Sequence, residues 1–337
     1  MSSRNGLPLS AALSRINQMA AQAAEAASEP TTEEPDAPAK HTVTLTTPSP
    51  LGKEWKRVLE IAYGNRSSRL GVSMQKDGTG LGPSYGVQTP DQTWWIADAA
   101  KRRLAHFSGS GKYLGEVRVP RKFLERGEFR WRNPVALANG SVVLTRASEG
   151  PPALLVVSPT GHLSQVRMKQ HVEVAVSDGT YFFGTCADGR RIRLDPISGK
   201  TRGTTWFQGQ NGHKFQILES GDDLVVKRPG RSARIRLAPA ENPKGVFRRE
   251  IEYAVGREGR LWVLVRGAVS SPGSRETPAN ALFSVSKTGR VATQPGLREL
   301  TGAADPADGH RLGITFGSKQ PWLMFVDADA LRVYQLK

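Results

Sequence analysis

The chain has a single cysteine among 337 residues, Cys186, which excludes an intrachain disulfide framework and a cysteine-based zinc cluster. Six histidines are too few and too scattered for a His-rich metal site. No apolar run approaches the 18 or so residues of a transmembrane helix, so no membrane span is expected. The N-terminus, MSSRNGLPLSAALSRINQ, lacks the apolar core of a secretory signal, and a cytoplasmic location is the expectation. There is no Gly-x-Ser-x-Gly elbow, no P-loop and no His-Glu-x-x-His. Helical periodicity is nearly absent from Trp55 onward, whereas Gly and Pro are plentiful, at 35 and 22 residues. That balance belongs to a turn-rich β protein.

Acidic charge is also scarce. Forty-seven Lys and Arg face 31 Asp and Glu, a formal net charge of +16. The first fifty residues run against this trend, with Arg4, Arg15 and Lys40 opposed by Glu25, Glu29, Glu33, Glu34 and Asp36. The remainder is therefore strongly cationic. Such a body attracts an anionic macromolecule: RNA, DNA or an acidic protein.

Residues 1–27 hold a candidate docking helix. In 8–27, Leu9, Leu13 and Ile16 start an apolar stripe continued by alanines, with Pro8 suited to a first helical turn. The stripe suits docking on an assembly partner. Residues 28–50, rich in Pro, Thr, Ser and Glu, cannot bury a core and read as a disordered linker.

Residues 51–337 carry internal repeats. A turn enters an apolar strand at PDQTWWIAD, ANGSVVLTR, SDGTYFFGT, SGDDLVVKR and REGRLWVLV. A second, Gly-containing turn follows each, at Gly111, Gly161, Gly199, Gly245 and Gly289. Four strands per unit of roughly 40–45 residues is the period of a propeller blade. The sixth unit, 310–337, holds only three strands, and 54–64 can supply the fourth. A ring closed that way leaves no open sheet edge. The fold expected is all-β, a six-bladed β-propeller, with inner strands at 85–89, 135–139, 173–177, 215–219, 252–256 and 311–315. Trp94, Trp95, Trp262 and Trp322 fall on second strands and suit packing between blades.

Residues 58–117 resemble an NHL repeat, through Gly82, Pro83, Val87, Ile96, Ala97, Asp98, Arg103 and Phe107. The resemblance implies a six-bladed propeller that serves as an interaction platform, some relatives binding RNA or proteins. It also implies an alternative, since related propellers are metal-dependent lyases or hydrolases with ligands at the channel. His171 and His213, each before an expected inner strand, are the candidates for such a metal, with Asn133, Glu252 or Asp305 as a third ligand. The inner strands are apolar or small at their centres, so neither metal nor other cofactor is expected. Cys186 reads as an inert thiol.

Charge sorts by turn type. In a propeller the turns between second and third strands share one end of the ring with the connections between blades. That end is expected to be basic, through Lys101, Arg102, Arg103, Arg190, Arg191, Lys227 and Arg228 in the turns and Arg121, Lys122, Arg126, Arg130 and Arg132 in a connection. The other end reads as mixed. A concentric basic surface suits salt-dependent contacts with a polyanion.

Overall fold

The structure, a computed structural model, describes residues 41–45, 53–74, 80–124, 128–129, 131–146, 151–186, 188–220, 222–239, 246–270, 277–294, 310–327 and 329–337. The expected N-terminal helix, with Leu9, Leu13 and Ile16, lies outside them. Among the described residues the only helical elements are two single 3-10 turns, Arg121–Phe123 and Gln210–Gly212.

Six antiparallel sheets form the ring. Blade one is Pro83–Gln88, Trp94–Asp98, Arg103–Phe107 and Tyr113–Arg118. Blade two is Trp131–Ala136, Val142–Arg146, Ala153–Val157 and Leu163–Arg167. Blade three is Val172–Ser177, Phe182–Cys186, Arg191–Leu194 and Thr201–Gly203. Blade five is Val246–Val255, Leu261–Ser270, Thr277–Val285 and Val291–Gln294. In blade six, His310–Ile314, Pro321–Val326 and Ala330–Leu336 are completed by Trp55–Ala62. The closing strands run antiparallel from Trp55 opposite Leu336 to Ala62 opposite Ala330, so the two ends of the repeat array meet as the repeat count requires.

Second strands carry the core because they are flanked by strands on both edges and by blades on both faces. Trp94–Asp98 is buried throughout. Trp94 meets Trp322 of blade six edge-on, ring centroids 5.3 Å apart, and Trp95 and Trp262 are buried too.

Blade four departs from the expected frame by one strand. Its innermost strand is Phe207–Gln208, only two residues long. Lys214–Ser220, expected innermost, is second in the sheet, and Asp223–Arg228 is third. The Gly turn of this blade is at Gly230, and 246–250 belongs to blade five. Gly111, Gly161, Gly199, Gly230 and Gly289 all have φ between +69° and +87°, a region only glycine enters cheaply. Gly245 mimics the expected spacing because Gly230 follows Gly199 early and Gly289 follows Gly230 late.

The linker expectation for 28–50 fails at residues 41–45, the part of that segment among the described residues. His41–Leu45 is a fifth strand on blade four, parallel to Arg231–Pro239, with Val43 opposite Leu237. Val43 is 1% exposed. The alternation HTVTL points one β-branched apolar side chain inward and keeps threonines outward, and this outweighs the prolines around it.

Candidate functional site

The upper end of the ring is taken as the one bearing turns between second and third strands and connections between blades. In blade one, Asp98 ends the second strand and Arg103 opens the third, directly opposite each other in register. Both are buried, at 0% and 2% exposure. The Asp98 carboxylate accepts the Arg103 Nε–H at 2.9 Å, the Lys101 N–H at 3.3 Å and the Gly71 N–H at 3.1 Å. Arg103 also ion-pairs with Glu116 and donates to the carbonyls of Ser67, at 2.8 Å, and Arg69. The Lys101 ammonium donates to the carbonyls of Gly64, Arg66 and Arg69, each at 2.7 Å. Burial lowers the Lys101 pKa, with Arg103 adding to the effect. The Glu116 carboxyl is held at about 2 by its bond to Arg118, with Arg103 and Tyr113 contributing.

These bonds fix residues 64–71 to the blade-one turn. Arg66, Arg69 and Arg102 are then exposed on one surface. The Arg102 carbonyl accepts the Val119 N–H at 3.0 Å, which brings the turn Arg121–Phe123 alongside. Arg121 and Lys122 are exposed there. The Lys122 ammonium lies 4.9 Å from the Phe123 ring centroid, and the Phe123 carbonyl accepts the Trp131 indole N–H at 2.9 Å. Among the described residues none of these five cations has a carboxylate partner.

The sequence-predicted cations thus divide. Arg102, Arg121 and Lys122 share the patch. Lys101 and Arg103, expected to bind anions, instead hold the loop in place, because their charges are spent on buried acceptors. Arg190 pairs with Asp188 at 2.6 Å. Arg132 and Arg191 line the central channel. Arg126 and Arg130 lie outside the described residues. Lys227 and Arg228 sit at the lower end, since the frame shift puts them in a hairpin between third and fourth strands. Arg228 is buried and donates to the Gly259 carbonyl at 2.7 Å; burial lowers its pKa. The lower end exposes Lys112, Lys200, Lys214, Arg231, Lys287 and Arg290 beside Asp91 and Glu258, with Glu258 paired to Lys319. Arg66 and Arg69, which their place in a blade connection assigns to the upper end in the sequence, are exposed beside Arg102, Arg121 and Lys122.

The two candidate metal ligands are not brought together. His171 precedes the inner strand of blade three at the upper end, near Cys186 opposite Val172. His213 belongs to the blade-four hairpin at the lower end, against Gly259. Cys186 is buried and accepts the Gln170 amide at 3.0 Å; burial pushes the thiol pKa up.

The central channel has a volume of about 830 Å³. The inner strands of blades one, two and three each carry a bulge, around Ser84, Asn133–Pro134 and Ala175. Asn133, at φ +50°, takes the left-handed backbone that asparagine tolerates, and it faces the channel. Glu252 accepts from Arg266 and from the Leu312 N–H, both at 2.8 Å. Burial, then Glu173, raises the Tyr253 pKa, with Arg191 opposing and Glu219 adding.

Ring, closure and channel define a six-bladed β-propeller. Residues 53–336 match the family described as Domain of unknown function (DUF7485), and the chain belongs to that family. No curated protein matches the sequence. Among solved structures, the chain is similar to virginiamycin B lyase from Staphylococcus aureus, with 11% identity, a TM-score of 0.37 and coverage of 84% of this chain and 100% of that one. It is similar to U3-55K at 12% identity, TM-score 0.48, over 86% and 100% of the two chains. An oligogalacturonate lyase in complex with manganese is 15% identical, with a TM-score of 0.41, over 75% and 76%. No described helix is long and apolar enough to cross a membrane.

Proposed function

We propose that the protein is a non-enzymatic binding platform that holds nucleic acid on the blade-one patch. The observation carrying this reading is the set Arg66, Arg69, Arg102, Arg121 and Lys122, exposed and without carboxylate partners among the described residues. The backbones of Arg66, Arg69 and Arg102 are held by the buried Asp98–Arg103–Lys101 bonds, so a phosphate contact there orders side chains and not the loop. Arginine predominates, which suits planar two-point contact with phosphate. The NHL resemblance of residues 58–117 fits this reading, because Asp98 and Arg103 are among its matching positions. The stripe at Leu9, Leu13 and Ile16 supports a second role, docking on an assembly partner.

Fluorescence anisotropy with a labelled RNA at two salt concentrations tests the patch. The triple variant Arg69→Glu, Arg102→Glu and Arg121→Glu is expected to weaken binding far more than Lys112→Glu, Lys200→Glu and Lys287→Glu at the lower end. Both lose the same charge, so equal losses mean that only net charge attracts the RNA. Absence of binding at low salt removes nucleic acid and leaves an acidic protein as the partner.

A further inference from the structure

Blade four lacks most of its innermost strand. The other five blades place five to ten residues at that position; blade four places two, Phe207 and Gln208. They pair with Phe215 and Lys214, and the register ends there. Beyond it, no described strand flanks Gln216, Ile217 and Leu218 on the channel side, although all three pair outward with Asp223–Arg228. The Gln216 side chain reaches the Thr205 carbonyl at 2.7 Å and covers the lower part of this edge. The inner strands of blades three and five are in contact, so the missing half-strand becomes a side recess of the channel rather than a wider bore. Unpaired strand edges are where extended chains add.

The walls state what kind of chain fits. Arg191 makes no ion pair among the described residues; its guanidinium lies over the Phe207 ring, 5.8 Å from the centroid. The Tyr253 hydroxyl has no hydrogen-bond partner among the described residues, and Thr185 adds a further hydroxyl to the wall. Tyr253 remains protonated, because burial and then Glu173 raise its pKa. Arg191 and Tyr253 are therefore donors turned toward the same space. Glu173 and Glu219 share the wall and disfavour a second negative charge.

We propose that this recess takes an extended peptide segment from a partner protein, which pairs with Gln216–Leu218 as a replacement inner strand and places one acidic side chain toward Arg191 and Tyr253. This site is separate from the blade-one patch and does not depend on its reading.

The probe is fluorescein-labelled Gly-Val-Glu-Val-Thr-Val-Gly, read by anisotropy with the full chain. It is expected to bind and to lose about tenfold in affinity, or roughly 1.4 kcal/mol, when Lys replaces its Glu. A version with proline at alternate positions is expected not to bind, since proline removes the ladder donors. Arg191→Glu is expected to reverse the preference toward the Lys peptide, and Tyr253→Phe to weaken the Glu peptide with the thermal melt unchanged. Arg102→Glu with Arg121→Glu is expected to leave both peptides unaffected. Amide exchange at 216–218 supplies a readout independent of any variant and is expected to slow on peptide binding. Equal binding of the proline peptide, equal binding of the Lys peptide, exchange at 216–218 that the peptide does not slow, or no binding at millimolar peptide each overturns the proposal.

Discussion

Arg103 shows how a cation can be essential without touching a ligand. It is 2% exposed and shares Asp98, at 0%, with the backbone N–H groups of Gly71 and Lys101. Removing it leaves a buried carboxylate without its main counter-charge, at a cost of about 3–5 kcal/mol. Arg103→Met is therefore expected to lower stability steeply in urea titrations, whereas Arg102→Ala, whose side chain lies outside the same network, changes it by no more than about 0.5 kcal/mol. Similar effects from the two variants remove the division between holding and presenting cations. Glu116 gives a pH signature. Its carboxyl is shifted from 4.5 to about 2 in the folded protein, so its contribution is present above the unfolded value and is lost as pH falls through the folded one. Stability measured between pH 4.5 and 2 is expected to fall, and Glu116→Gln to flatten that slope. None of this sorting is visible in the string of residues 98–103. Three adjacent basic residues, Lys101, Arg102 and Arg103, look alike in sequence; the hairpin register sends one to Asp98, one to the loop carbonyls and one to solvent.

Among elements, the strands were legible where hydrophobic runs were long and turns carried glycine at a steady interval. The closing pair Trp55–Ala62 and Ala330–Leu336 was legible because a repeat with one strand too few needs a partner elsewhere. Blade four was not, because a two-residue strand has no periodicity and Gly245 stood near the expected interval while Gly230 held the turn. That misplacement also carried Lys227, Arg228 and His213 to the wrong end. The strand His41–Leu45 was hidden by its proline-rich surroundings, and its contribution is open to measurement. Truncation before residue 41 and truncation after residue 45 differ only by this strand. The longer truncation is expected to melt at lower temperature and to self-associate, since it uncovers the edge of Arg231–Pro239. Val43→Asp is expected to destabilise by more than the roughly 1.5 kcal/mol worth of burying a valine, because it also buries a charge. Deleting 54–64 is expected to cost more than either. Matching melts and matching elution volumes for the two truncations mean that the strand adds nothing.

For the whole molecule, net charge sets how far the polyanion attraction reaches and how salt erases it. Five phosphate contacts from the patch give a slope of log affinity against log salt of roughly −4.5 on a duplex and −3.5 on a single strand. A patch-reversed variant is expected to lose about three contacts from that slope, while the lower-end variant keeps it. A slope that the patch reversal leaves unchanged places the contacts elsewhere on the ring. No aromatic side chain is among the exposed large hydrophobics of the described residues, which are Val72, Leu114 and Ile197. Phosphate contact without base stacking follows, and binding is expected to be indifferent to RNA sequence in competition assays.

The two N-terminal strands sit on different blades, and this matters for the order of events during synthesis. Closing the ring joins segments roughly 270 residues apart, an encounter that a free chain end makes slowly. The first of the two strands has its seat ready much earlier, once Arg231–Pro239 has left the ribosome. Only residues 46–54 separate it from the second, so a docked His41–Leu45 keeps Trp55–Ala62 within about 35 Å while blades five and six are still being made. Blade four then serves as a mooring from which the latch of blade six is thrown, and Val43→Asp is expected to slow refolding by more than its equilibrium cost alone requires.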